Sequence, residues 1–325
     1  MSGLQSLPSV SVVVPNFNHS KFLPTCLNAI LAQSVKPLEV IVLDDCSTDN
    51  SIEVIGQFAE AHPVVKLVRN EKNLGVMPNL NKGVLMSRGD YICIGSADDE
   101  ILPGLLEKSL TMLAKHPSAG ISSAIGDWHE VATGLNWQMG VGMGSEPCFL
   151  APDRLVEMEQ QERIFIVSNT CIFHRERLKA LGLFIPELRW HADWFAIYAL
   201  ALRHGLCFVP EPLGRFNIMP GSYYKSGRQK PELHNQVMRG IVARLASPEY
   251  ADIGDAMRRG GGLFSFGWPM LTTLRSDPRF RKFLTANLLR RALWQEAKVR
   301  GKDHLPRPLA NLYLRLAGYR TKPGK

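Results

Sequence analysis

Two apolar runs in this chain stop on paired carboxylates, and that pattern restricts the possible folds more than any other feature. Glu39-Val40-Ile41-Val42-Leu43 runs into Asp44-Asp45, and Tyr91-Ile92-Cys93-Ile94 runs through Gly95-Ser96-Ala97 into Asp98-Asp99. Short runs of consecutive apolar, β-branched residues suit strands buried on both faces, as in the middle of a parallel sheet. Val10 to Val14 and Val64 to Arg69 read the same way, while about Phe22 to Gln33, Ser51 to Ala61 and Pro78 to Ser87 read as helices. This β-α-β-α-β-α-β alternation predicts an α/β fold with a mostly parallel sheet flanked by helices. Right-handed crossovers then bring the strand C-termini to one edge, where ligands of open sheets bind. Asp44-Asp45 and Asp98-Asp99 are expected on that one rim.

Residue types alone leave two readings of Asp98-Asp99. Adjacent carboxylates repel unless donors or a cation hold them, and a divalent ion with oxygen ligands satisfies both charges. Alternatively they cap the helix that follows Pro103, since Asp is a favoured capping residue. Capping likewise competes for Asp45, Ser47 and Asp49 ahead of the helix at Ser51.

Beyond Asp99 the periodicity predicts a helix over Leu105–Ala114, a strand near Ala119–Ile125 and a loop or irregular hairpin over Trp128–Cys148. Helical stretches follow at Arg154–Gln161, Arg175–Leu181 and Asp193–His204, then a strand at Leu206–Val209 and a loop over Met219–Tyr224. Past Gly227 the segments to Ala246 and from Phe280 to Arg300 look helical, with Gly260-Gly261-Gly262 as a loop or hinge. The division expected is residues 1–225 as one domain, with 9–105 and 106–225 as its two parts, and 226–325 as a basic, mainly helical region.

With 45% apolar and 21% charged residues, the composition is that of a globular protein. No uncharged run has both the length and the apolarity of a membrane span; the nearest, 260–274, is too short and contains glycines and Pro269. The N-terminus lacks a basic segment followed by an apolar core, so no signal peptide is expected. Six cysteines without metal-ligand spacing suit reduced thiols in a cytoplasmic protein. The charge of +8 is unevenly spread, because residues 251–325 hold 16 Lys/Arg against 5 Asp/Glu. Such a region suits peripheral contact with an anionic inner membrane face, or a solvated face or dimer interface. Without aromatic interleaving or a recognisable module, nucleic acid is not an expected partner.

The ordered set Val12-Val13-Val14-Pro15-Asn16-Phe17-Asn18, Ala32-Gln33, Glu39 to Asp49, Asn73-Leu74-Gly75, and Arg88-Gly89-Asp90-Tyr91-Ile92 running into Ala97-Asp98-Asp99 resembles glycosyltransferase family 2. Asp193-Trp194-Phe195 and Val209-Pro210-Glu211-Pro212-Leu213 extend the likeness more weakly. The chain departs from the family pattern in three places. Cys46 replaces the usual Gly, Leu80-Asn81 an Arg-Asn pair, and Met219 a His in the late loop.

The resemblance implies a GT-A type sheet with a helical C-terminal extension. It also implies inverting transfer of a sugar from a nucleotide-sugar donor, UDP- or dTDP-linked, to a saccharide or lipid-linked acceptor in surface polysaccharide or glycolipid synthesis. Pro15, Asn16, Phe17, Asn18, Asp44, Asp45, Asn73 and Asp98 are the nucleotide-binding candidates, Asp44 facing the imide N–H of the base. Asp99 with Asp98 would hold Mg²⁺ or Mn²⁺. Asp193 would be the general base, with His191, Trp190 and Trp194 on the acceptor side. A catalytically silent member that binds nucleotide or scaffolds a complex is the alternative. A dinucleotide-dependent oxidoreductase fits poorly, because Pro15-Asn16-Phe17-Asn18 stands where a GxGxxG turn belongs.

Overall fold

The computed structural model describes residues 6–131, 134–218 and 230–303. The first hundred residues fold as β1 (Val10–Asn16), α1 (Leu23–Leu31), β2 (Glu39–Asp44), α2 (Ser51–Ala61), β3 (Val65–Arg69), α3 (Val76–Met86) and β4 (Tyr91–Ile94). β5 (Glu100–Ile101), α4 (Leu105–Lys115), β6 (Ile121–Glu130), β7 (Leu135–Met139), β8 (Cys148–Leu150) and α5 (Pro152–Gln160) follow. Then come β9 (Ile172–His174), α6 (Arg175–Ala180), α7 (Ala192–His204) and β10 (Leu206–Ile218). The C-terminal helices are α8 (Pro231–Ala246), α9 (Ala251–Gly260), α10 (Gly267–Ser276) and α11 (Ala286–Asp303).

All ten strands join one mixed sheet in the order β3-β2-β1-β4-β9-β6-β10-β5, with β7 on β6 and β8 on β10. β3, β2, β1 and β4 are parallel neighbours. β9 is antiparallel to both β4 and β6, so β6 and its parallel partner β10 run in the same direction as β4. Side chains alternate between two apolar layers, as the period of a strand requires. Val12, Val14, Val40 and Val42 face a layer with α1 and α4, while Val13, Ile41 and Leu43 face a layer with α3, α7 and the C-terminal helices. The second layer is continuous from Val13 through Phe173 and Ile197 to Val237, Phe283 and Leu288.

Several expectations change. The strand expected to end at Val209 continues to Ile218 across Pro210 and Pro212, because two register shifts against β6 accommodate residues that cannot donate to the ladder. The irregular stretch after Trp128 begins as a regular hairpin, β6 pairing with β7 from Gly126↔Met139 to Glu130↔Leu135. The helix expected over Phe280–Arg300 is a short 3-10 turn, Pro278–Phe283, followed by α11. Asp277 starts that turn, its carboxylate accepting from the Arg279 N–H at 2.9 Å. Gly260-Gly261-Gly262 is the end of α9 and the start of a second 3-10 turn, with Gly261 at φ 75°. The Met219–Tyr224 loop lies outside the described residues.

Candidate active site

Parallel pairing sets Asn16 at the end of β1 opposite Asp44 at the end of β2. The Asn16 Nδ2 donates to Asp44 Oδ1 at 2.9 Å and to Ser47 Oγ at 3.2 Å, and the Ser47 N–H donates to Asp44 Oδ2 at 3.0 Å. Asp44 is fully buried, so its carboxylate forms the floor of this rim. Asn18 has left-handed backbone, and its Oδ1 accepts from the Thr48 N–H at 2.8 Å, tying the β1 loop to the β2 loop. Phe17 stays exposed and Pro15 is the penultimate residue of β1.

Asp45 does different work. Its Oδ1 accepts from Asn70 Nδ2 and the Leu74 N–H, and its Oδ2 from the Gly75 N–H, all at 2.8 Å. Asn73 Oδ1 accepts from the same Gly75 N–H at 3.0 Å. Asp45 and Asn73 therefore brace the 70–75 turn, one step away from the Asn16–Asp44 pair. Between them Cys46 sits at φ 65°. That left-handed geometry is why glycine suits the position, and a Cβ there is strained.

β4 delivers the second carboxylate pair. Ser96 Oγ donates to Asp98 Oδ1 at 2.5 Å. Asp99 Oδ1 accepts from the Asn217 N–H at 3.0 Å, while Asn217 Nδ2 donates to the Asp98 carbonyl at 2.9 Å. Burial, and then the neighbouring Asp98 charge, hold the Asp99 carboxyl well above the usual carboxylate range. Burial, and then the Asp99 and Asp98 charges, also push the Cys26 thiol up. Asn217 lies 118 residues from Asp99 in sequence and gave no local signal. It is reached only because β10 continues past its prolines.

This pair suits a small hard cation: two carboxylates, one of them buried, with a single backbone donor offsetting the buried one. Among the described residues no group of three or more His, Cys, Asp or Glu comes together to hold an ion. Protein oxygens from Asp98 and Asp99 would therefore leave most positions of an ion to substrate and water.

Asp193 lies in the first turn of α7, one residue inside its start, and is not the capping residue. Its Oδ1 accepts from the Trp194 N–H at 2.7 Å, and desolvation pushes its pKa up. The carboxylate acts electrostatically on Cys171, the residue before β9, whose Ile172 pairs with Cys93 of β4. β9 enters antiparallel, so its beginning stands at the C-terminal end of β4. Asp193 and the Asp98-Asp99 pair thus border the same end of the sheet. Arg189, at φ 48° and ψ −121°, makes the sharp bend that leads into Trp190, His191 and this helix.

Trp190 and His191 are each 6% exposed. Trp190 stacks on His234 of α8, and His191 and Trp194 meet Phe266 edge-on at 4.9 and 4.7 Å. Of the three, Trp194 retains the most surface, and the other two chiefly join α7 to the C-terminal helices. A separate groove of about 530 Å³, bordered by Ile185, Glu187, Arg244 and Tyr250, is lined by none of these five Asp carboxylates.

The model of Glycosyl transferase family 2 matches residues 11–182, just over half of the chain. The chain belongs to glycosyl transferase family 2. Among curated family relatives, YibD of Escherichia coli, an uncharacterized glycosyltransferase, is 33% identical over 135 residues, 42% of this chain and 39% of YibD. TuaG of Bacillus subtilis, provisionally named a teichuronic acid biosynthesis glycosyltransferase, is 30% identical over 186 residues, 57% of this chain and 69% of TuaG. The matches with the first three curated relatives span 39%, 66% and 41% of their lengths. The fold is like that of S. aureus TarS 1-349 in complex with UDP-GlcNAc, a GT-A fold, with TM-score 0.64 and 18% identity over 90% of this chain and 92% of that one. The mannosyltransferase PcManGT from Pyrobaculum calidifontis, in complex with GDP-Man and Mn²⁺, aligns with TM-score 0.53 and 18% identity, over 89% of this chain and 87% of that one.

Proposed function

We propose that this family 2 chain transfers a sugar, with inversion, from a UDP- or dTDP-linked donor to a hydroxyl of a saccharide or lipid-linked acceptor. The setting would be surface polysaccharide or glycolipid synthesis. The observation that carries the reading is the buried Asp99 carboxyl beside Asp98, fastened to β10 by Asn217 at the C-terminal end of β4. A bound Mg²⁺ or Mn²⁺ would offset the negative charge of the departing diphosphate. Asp98 and Asp99 would hold that ion. Asn16 and Asp44 form the floor for the base, with Phe17 at its border. Asp193, made more basic by desolvation, would take the proton of the acceptor hydroxyl on the face opposite the leaving group. The TarS complex with UDP-GlcNAc supports a uridine donor, and the Mn²⁺ in the PcManGT complex supports a divalent ion.

The test is donor hydrolysis and transfer across a panel of UDP-, dTDP- and GDP-sugars, with Mn²⁺ or with chelator. Asp99→Ala should abolish metal-dependent turnover. Asp193→Asn should lower turnover by about 10²–10⁴-fold, the usual contribution of a positioned base, while nucleotide binding persists. Full turnover in chelator, or an active Asp193→Asn protein, overturns the reading.

We also propose that the C-terminal helices rest on an anionic membrane surface. Arg290, Leu293 and Trp294 share the outward face of α11, with Leu293 and Trp294 each 59% exposed, and Trp268 of α10 is 53% exposed. Among the described residues no helix is long and apolar enough to cross a membrane.

A further inference from the structure

Asn169 lies in a one-turn 3-10 segment, Ser168–Thr170, and is 9% exposed. Neither its Oδ1 nor its Nδ2 has a hydrogen-bond partner among the described residues. Natural proteins seldom leave a buried amide bare at both ends, because desolvation without a partner is unfavourable. The side chain has been brought there by a rigid support. Thr170 Oγ1 donates to the Val167 carbonyl at 2.9 Å, accepts from the Ala124 N–H at 3.0 Å and lies 3.0 Å from Ser123 Oγ.

The location is as informative as the missing partners. On one side is β10 at Gly214, where an added Cβ would lie 2.8 Å from Thr170 Cγ2 and 3.3 Å from Asn169 Oδ1. Three residues further along that strand, about 10 Å of chain, Asn217 holds Asp98 and Asp99. On the other side the turn touches α7, and Cys171, two residues on, feels the Asp193 charge. Asn169 therefore stands between the carboxylates proposed for the diphosphate end and the one proposed for the acceptor end. Trp128 stands on the same ribbon, its ring against Phe165 and Phe216, and its Nε1–H also lacks a partner.

Chemistry narrows the ligand. A phosphate offers only acceptors and would face Asn169 Oδ1 unfavourably, and a cation would face Nδ2 unfavourably. A neutral sugar hydroxyl both donates and accepts, and so matches both ends of the amide. We infer that Asn169 binds hydroxyl groups of the sugar being transferred and contributes to the choice of donor. This rests on the glycosyl-transfer reading above.

The experiment is titration calorimetry of wild type, Asn169→Ala and Asn169→Leu with UDP and dTDP and with a panel of UDP-glucose, UDP-GlcNAc, UDP-galactose and dTDP-glucose, in Mn²⁺, alongside thermal melts. The expected result is an unchanged or raised melting temperature, an unchanged Kd for the free nucleotide, and binding of the preferred nucleotide sugar weakened about tenfold or more. Equal Kd values for that nucleotide sugar in wild type and both variants overturn the inference while leaving the glycosyl-transfer reading intact. So does an equal loss for free nucleotide and nucleotide sugar, or a variant that fails to fold in both substitutions, since each assigns Asn169 to the scaffold. A wild type that binds neither UDP nor dTDP, and no sugar of either, overturns the reading itself, and the inference falls with it.

Discussion

Asp193 shows how one side chain can lower stability at a position proposed for chemistry. Its carboxyl is held above the usual carboxylate range by burial, with only the Trp194 N–H opposing. The folded chain therefore binds this proton more tightly than the unfolded chain. The resulting loss of stability is complete above the raised pKa and disappears below the ordinary value near 3.8. Each unit of rise corresponds to about 1.4 kcal/mol. Asp193→Asn should accordingly raise the unfolding midpoint at pH 8 and give no gain at pH 3.5, as read by denaturant titration at both pH values. The same carboxylate should set an acidic limb in the rate of transfer at its raised pKa. A midpoint at pH 8 that falls on substitution would mean the carboxylate is structurally required. Residue type marked Asp98 and Asp99 as either helix caps or cation ligands, and only the family resemblance singled out Asp193. Asn217 and Asn169 were not legible, because an Asn in a loop or strand end is ordinary until the fold shows what surrounds it. The divergent Cys46 was visible as a departure, but its cause, a left-handed φ, is a property of the backbone.

At the scale of elements, periodicity found the central strands and the helices between them, because burial on both faces leaves an unbroken apolar run. It lost β10 at Pro210 and missed β9, three residues long, which carries too few positions to show any period. It also merged Phe280–Arg300 into one helix, although α11 starts only at Ala286 and is anchored by buried Leu288, Ala292 and Arg291. Arg291 is fully buried, with Nη1 donating to the Gly260 carbonyl at 2.6 Å and Nη2 to Glu159 Oε1 at 3.1 Å. Its guanidinium lies 3.8 Å from the centre of the Phe264 ring. Burial raises the Glu159 pKa to about 7 even though Arg291 opposes the shift. Removing one member of such a pair strands the other. Arg291→Ala should therefore cost about 3–5 kcal/mol, while the Arg291→Met, Glu159→Leu pair should cost much less. Chemical denaturation of the two proteins decides it, and equal losses would show that packing of α11 outweighs the charge.

For the whole molecule, the continuous layer from Val13 to Leu288 constrains how membrane contact can be tested. Deleting residues 251–325 would strip Ile253, Met270, Phe283 and Leu288 from that layer, so lost binding could reflect lost folding. Surface substitutions avoid this. Leu293 and Trp294 sit two and three residues beyond buried Arg291 on the outward face, and burying each apolar side chain in a bilayer interface is worth about 1.5–3 kcal/mol. The surrounding positive charge adds an attraction that salt screens. Wild type should sediment with vesicles containing anionic lipid, and less so as salt is raised. Leu293→Ser, Trp294→Ser protein should bind those vesicles about tenfold more weakly or worse, with the same melting temperature and the same donor hydrolysis. Retained binding by the double variant would move the contact elsewhere. Loss of hydrolysis together with binding would instead mean that the α11 face supports the catalytic end of the sheet through α7, whose Trp194 already meets Phe266 of the C-terminal region.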